Sequence, residues 1–324
     1  RRAIALNEPP EYGRASANLQ ADFLQWVSIP FDDPEGGAVV SVNGNPQEGF
    51  ILFGEEGLPS NTAYWVPQVG GTSVPSNDEF DVTASDGNST SDPTTVNITI
   101  NHSGFGQFEL GNTAPPKDKD TDPGAINVVA LIPTPSAGWN TVPATAEDHA
   151  NYAGIPLAAW YLGYSQEAKD AMEHFRGNTG AHRSLDVRQI LLDTNSTRWD
   201  SAISYLVGLV HGKHFVGTLE LVDKEVHLEG THGTVWQRAV GEYTGWSTAT
   251  ITGSYVDGKF GYSVTHTYNM WDPYDWDPNK PESTNQPAMA RLHLAGLAQQ
   301  YMTSGSITTT VTWNEDDPLP TPQL

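Results

Sequence analysis

The sequence predicts a mainly-β chain in two parts. A β-sandwich occupies residues 1–101, and an α+β domain, short helices followed by an antiparallel sheet, occupies residues 151–315. Three observations predict this. The chain holds 31 Gly and 23 Pro, which favours many short strands and turns over long helices. Short apolar runs fill residues 15–101, with a two-residue period at Val96, Ile98 and Ile100 and no helical period between them. A helical period governs the segment up to His211, after which the period returns to two.

Taken in order, "FLQWVSI" (Phe23–Ile29) alternates and runs into the turn-rich "PFDDPEGG". "AVVSV" leads to the pair Asn43-Gly44, a hairpin signal. "GFILFG", "TAYWVP", "EFDVTA" and "TTVNITI" follow, separated by Gly, Pro, Asn and Ser clusters, a spacing that suggests a sandwich. Residues 102–150, rich in Pro, Asp and Thr, read as a linker with "INVVALI" (Ile126–Ile132) as a lone strand. In "SQEAKDAMEHFRGNTG", Ala168, Met172 and Phe175 share a helix face between an N-cap at Ser165 and Gly177. "SLDVRQILLD" reads as a short helix capped by Ser184. "STRWDSAISYLVGLVHG" sets Trp199, Ile203, Leu206 and Val210 on one stripe, with Thr197 and Asp200 at capping-box spacing. "VGTLELVDKEVHLEG" reads as a hairpin with Leu219 and Leu221 opposite Val226 and Leu228. In "TATITGSYVDGKFGYSVTHTY", Asp257-Gly258 makes a type I′ turn, and Phe260, Tyr262, Val264, His266 and Tyr268 line one side. "MARLHLAGLAQQYM" is a short helix and "SITTTVTW" a last strand. The Pro-rich tail, residues 316–324, has no apolar period, so order there requires something to hold it: the rest of the chain, a neighbouring copy or a partner.

The segments "FDDPEGG" and "AYWVPQVGGTSVPSNDEFDVTASDGNSTSDPTTVNITI" resemble the Ig-like modules of bacterial cadherin-like and tandem adhesion repeats. Tyr64, Pro67, Asp78, Phe80, Asp86, Gly87, Val96 and Ile98 fall in matching places. The resemblance covers less than a third of the chain, shows a single module, and has Trp65 where the family has a small polar residue. It implies an Ig-like sandwich and a secreted setting; in the family, aspartates near such turns bind calcium between modules.

Composition excludes some roles. With 39 acidic against 16 basic residues, the formal charge is −23, which repels the phosphate backbone and anionic lipid, so neither is an expected partner. There is no cysteine, hence no disulfide, thiolate nucleophile or Cys-zinc site. No window approaches the ~18 apolar residues of a membrane span, so membrane insertion is not expected. The opening "RRAIALNEPP" has neither Met nor an apolar h-region and reads as a processed product or an excised segment.

Candidate sites are acidic. "DKDTDPG" places Asp118, Asp120 and Asp122 at alternate positions, where carboxylates converge on a hard cation such as calcium. Pro123 and Val129 depart from the EF-hand pattern, and a solvated charged linker is the alternative. "NMWDPYDWDPNKP" offers Asp272, Asp275 and Asp277, read as a calcium loop or as a turn pinned by aromatic packing. A third reading is an acid–base site, with Trp271 and Trp276 desolvating a carboxylate and Arg291 and His293 completing the set. That reading resembles bacteriocin domains that cleave lipid-linked peptidoglycan precursors. Their pattern has one more residue before the Tyr-Asp pair, and adjacent His-Arg where this chain has Arg291-Leu292-His293. "HLEGTH" invites zinc, but Glu229 is displaced from the zincin spacing; on a strand His227 and Glu229 share a face while His232 lies beyond a Gly turn. Without a nucleophile elbow or a phosphate loop, no catalytic or cofactor-binding residue is assigned. Trp160, Tyr161, Tyr164, Trp236 and Trp246 are either core or a sugar-stacking platform.

The leading expectation is therefore a non-enzymatic extracellular or cell-surface structural or adhesive protein. It would be a subunit of a filament, appendage or virion, self-associating or gripped at its termini by a partner, with calcium. The alternatives are an envelope-targeted hydrolase or toxin using the cluster at 272–277, and a carbohydrate-binding protein that reads a surface glycan.

Overall fold

The computed structural model describes residues 16–22, 24–31, 39–42, 46–53, 58–59, 61–74, 76–101, 105–113, 138–276 and 286–324. It is mainly β with a helical α+β part, as the sequence predicts. Strands β1 (Ser16–Asp22), β7 (Thr94–Asn101), β6 (Asn77–Ser85) and β3 (Val39–Val42) form a four-stranded sheet in that order, β1 parallel to β7. Its apolar side, with Val40, Phe80, Val82, Val96 and Ile98, shares one core with Val27 and Ile29 of β2 (Val27–Pro30) and Ala63 and Trp65 of β5 (Thr62–Gly71). Trp65 is fully buried, and its indole N–H donates to Asp78 Oδ2 at 2.9 Å. Asp78 also accepts the amides of Gln47 and Glu79, so the polar edge of a large core residue is fully provided for.

A second sheet of ten strands crosses the boundary placed at residues 102–150. The β5 strand is held by β2 and by β4 (Gly49–Leu52), and its end pairs in parallel with β10 (Val216–Asp223), Gln68 opposite Val216 through Gly71 opposite Leu219. The strand β8 (Phe108–Leu110) also pairs with β10. Gly217 sits in this junction with φ 115°, and a Cβ there would stand 2.0 Å from the Val69 carbonyl oxygen, so only glycine allows the strands to meet. From β10 the sheet continues through β12 (Glu242–Val256), β13 (Lys259–Tyr274), β14 (Tyr301–Asn314) and the short β9 (Arg183–Ser184). The β12–β13 turn has Asp257 and Gly258 both at positive φ, as a type I′ turn requires. Along β13 every second residue from Phe260 to Tyr274 is buried, which includes the alternating set expected from the sequence. Thr265–Thr310 and Thr267–Thr308 hydroxyl pairs line the outer face of this sheet.

Helices cover the other face. They are α1 (Ala146–Tyr161), α2 (Gln166–Arg176), α3 (Val187–Thr194), α4 (Arg198–Val210) and α5 (Gln286–Leu294). Phe175, Ile190, Leu191, Trp199, Ile203 and Leu206 enter one large core with the sheet. Ser165 caps α2 as expected. Three local readings change. The helix α1 begins inside the expected linker, with a Thr145–Asp148 capping box. Asp186, not Ser184, caps α3. Thr197 makes no side-chain cap on α4, because its backbone is already in the helical region. The lone strand expected at 126–132 lies outside the described residues.

The tail is held by its own chain: Arg188 Nη2 donates to the Leu324 carbonyl oxygen at 3.0 Å, and Leu324 packs on the large core. Among the described residues, no helix is long and apolar enough to cross a membrane.

Candidate functional site

Strands β10 and β11 (His227–Gly230) do not form the expected hairpin. Both run antiparallel to β12, one after the other along the same strand: Val222 pairs with Thr248, and His227 with Gly245. Four residues, 223–226, thus face two, 246–247, across the ladder, a local excess of the bulge type. The N-terminal turn of α4 lies over this break. The space between is a cavity of about 330 Å³ lined by Gln107, Thr197, Arg198, Ser201, Ala202, Asp223, His227, Ser247 and Tyr268.

Asp223 is the anomalous group. It continues the inward register of Leu219 and Leu221, is 2% exposed, and takes the Ser247 amide on Oδ2 at 2.6 Å. Its Oδ1 is buried without a hydrogen-bond partner. Burial pushes the carboxyl up to about 6, against the opposing pull of the Ser247 bonds and of Arg198. His227 Nε2 lies 3.8 Å from Asp223 Oδ2, and burial, reinforced by Arg198, lowers its pKa. Beside them Arg198 Nε donates to Glu229 Oε1 at 2.7 Å, and Ser196 Oγ meets Glu229 Oε2 at 3.3 Å. His227 and Glu229 share the inner side of β11, as the sequence indicated.

Tyr268 lines the cavity, and behind it the Tyr243 and Tyr268 side chains are buried as neighbours, their hydroxyls interacting with each other. Burial raises both, Tyr243 to about 12. Two residues before Tyr268 on the same face, His266 is fully buried with neither ring nitrogen bonded. Burial holds it at about 4, so it is neutral at physiological pH. Asp223 Oδ1 at the cavity and His266 in the core beside Trp199 are thus held out of water without hydrogen-bond partners, which is costly for a fold.

The acidic residues singled out from the sequence lie elsewhere or outside the described residues. Asp118, Asp120, Asp122 and Asp277 are outside them. Asp272 lies near the end of β13 on the buried face, its carbonyl accepting Thr303 Oγ1 at 2.8 Å. The Asp275 amide closes a tight turn onto the Pro273 carbonyl. Tyr274 stacks on Tyr301 with centroids 4.8 Å apart and meets Trp276 edge-on, so aromatic packing anchors this strand end. Arg291 pairs with Asp148 in the α1 capping box and donates to the Pro143 carbonyl, and His293 Nδ1 accepts the Gln300 amide. Among the described residues, no group of three or more His, Asp or Glu is arranged to hold a metal ion. Of the aromatics named from the sequence, Trp160 is widely exposed at 75%, Trp236 is buried with its indole on Asp193, and Tyr164 lies under Arg238. Asp223 itself was missed; a carboxylate in the inward register of an apolar strand was the signal for it.

No family model matches the chain, and no curated protein does. Among solved structures, the endo-fucoidan hydrolase MfFcnA4 from glycoside hydrolase family 107 is similar over 33% of this chain and 15% of its own. The identity there is 22% and the TM-score 0.24, a likeness that establishes neither fold nor activity for this chain.

Proposed function

We propose that the protein acts outside the cell as a hydrolase of a small polar substrate, with its site in the cavity under α4, and that the N-terminal sandwich serves to attach it. The observation that carries this reading is Asp223. A carboxyl that is buried, half-satisfied and raised to about 6 holds a proton near the working pH, 3.8 Å from an imidazole kept neutral by burial. Such a pair divides the roles of general acid and general base: Asp223 protonates a leaving oxygen, and His227 takes a proton from water. The extracellular setting is supported by the cysteine-free, strongly acidic composition and by the resemblance of residues 31–100 to adhesion modules. Calcium at Asp118, Asp120 and Asp122 belongs to the same setting, and a chelator that lowers the unfolding temperature would support it.

The test is turnover of aryl esters, aryl glycosides and aryl phosphates by the wild-type chain, Asp223→Asn and His227→Gln. One class is expected to be hydrolysed, at a rate that falls as pH rises through about 6. Loss of the general acid should cost about 10²-fold or more. Failure of every class, or full activity in the Asn variant, refutes the reading.

One feature favours the non-enzymatic assembly reading instead. Beyond the two pairs with β9, residues 305–314 of β14 have no strand on their outer side among the described residues. An open edge accepts a strand from another chain. Sedimentation decides: a monomer at high concentration removes this reading.

A further inference from the structure

The walls of the cavity are complementary in character. On one side stands the N-terminal turn of a 13-residue helix, with Thr197, Arg198 and Ser201 facing the space and no side-chain cap on the helix end. Such an end carries partial positive charge, although the Arg198 amide already donates to Ser196 Oγ at 3.4 Å, and the Arg198 guanidinium adds a full cation at the mouth. On the other side Asp223 Oδ1 is buried without a hydrogen-bond partner, and the buried Tyr268 lines the cavity with it. We propose that the cavity takes an acidic sugar of the uronic-acid type. Its carboxylate rests at the α4 end beside Arg198, and a ring hydroxyl bonds to Asp223 Oδ1, accepting from the protonated carboxyl and donating to the ionised one.

A neutral sugar leaves the helix end and the guanidinium unused. An organic cation is repelled by both. A bare oxyanion satisfies α4 but leaves most of a cavity of this size unfilled. A carboxylate and a hydroxyl on one small ring answer both walls, and a cavity of about 330 Å³ is of single-ring scale. Arg198 is already held by Glu229 through Nε, a contact that does not use its terminal nitrogens. The inference rests on the hydrolase reading for the location of the site, but binding needs no turnover.

Calorimetric titration of the whole chain with glucuronate, glucose and inorganic phosphate tests it. Glucuronate is expected to bind at least tenfold more tightly than either of the others. Arg198→Gln should remove that preference and leave glucose binding as it was. Glu229→Gln keeps the guanidinium and removes its competitor, so glucuronate should bind as well or better. Equal binding of glucuronate and glucose, phosphate binding as tight as glucuronate, or equal losses in the two variants would each overturn the assignment. Turnover of neutral aryl glycosides without a glucuronate preference overturns this inference alone. Tight glucuronate binding without turnover overturns the hydrolase reading alone.

Discussion

Asn in place of Asp223 should make the protein more stable, and only at neutral pH. The folded state holds this carboxyl at about 6 against an ordinary 3.8, roughly two units, or about 3 kcal/mol at 1.36 kcal/mol per unit. The sign follows from proton binding. Between 3.8 and about 6 the folded chain binds the proton more tightly than the unfolded chain does, so stability falls as pH rises through that window. Asn mimics the protonated acid and never pays this cost, although its unpaired amide hydrogens take back about 1 kcal/mol. The net gain at pH 7.5 is about 2 kcal/mol, or roughly 4–8 °C in Tm on the scale of larger domains. At pH 4 the wild-type carboxyl is protonated when folded, so the gain is gone and the amide penalty leaves the variant equal to or slightly less stable than wild type. Thermal and urea unfolding followed by circular dichroism at pH 7.5 and pH 4.0 measure it. A variant less stable than wild type at pH 7.5, or equally stabilised at both pH values, would refute the reasoning. A more stable but inactive variant is what a group retained for chemistry produces.

Gly217→Ala should cost about 3 kcal/mol or more in urea unfolding, because a side chain there meets the Val69 carbonyl at an unfavourable φ; a loss below about 1 kcal/mol would show that the β5–β10 junction yields easily. Asp78→Ala strands the Trp65 indole and two or more amides, and should destabilise by about 3 kcal/mol, more than Trp65→Phe does through its lost bond and volume, as chemical denaturation of the two variants will tell. Arg291→Gln should cost about 1 kcal/mol, since Asp148 keeps its Thr145 partners while the half-exposed guanidinium is already solvated. Removal of residues 319–324 should leave the sedimentation coefficient unchanged apart from mass, because Arg188 and the core hold that segment within one chain.

What the sequence disclosed was local. The β13 register was legible because Phe260 to Tyr268 alternate without a break and Asp257-Gly258 fixes the turn. The helix stripe of Trp199, Ile203 and Leu206 was legible for the same reason: one periodicity, one buried face. Pairing at long range was not. Nothing in "VGTLELVD" says that Gly217 meets Val69, more than a hundred residues earlier, nor that β10 and β11 each choose β12 over one another. The site follows from that choice, because Asp223 and His227 converge only where β12 is shorter than the chain opposite it. The acidic motif at 272–277 drew the eye through composition, yet Tyr274 and Trp276 are spent on packing against Phe175 and Tyr301.

The parallel pairing of β5 with β10 also has a mechanical meaning. If the N-terminal sandwich is fixed to a surface and the rest is pulled, the force does not travel only along the covalent thread of residues 102–150. It crosses the hydrogen bonds between Gln68–Gly71 and Val216–Leu219. A pull along the strands loads those bonds together in shear, so the two halves resist as one stiff body and do not extend like beads on a string.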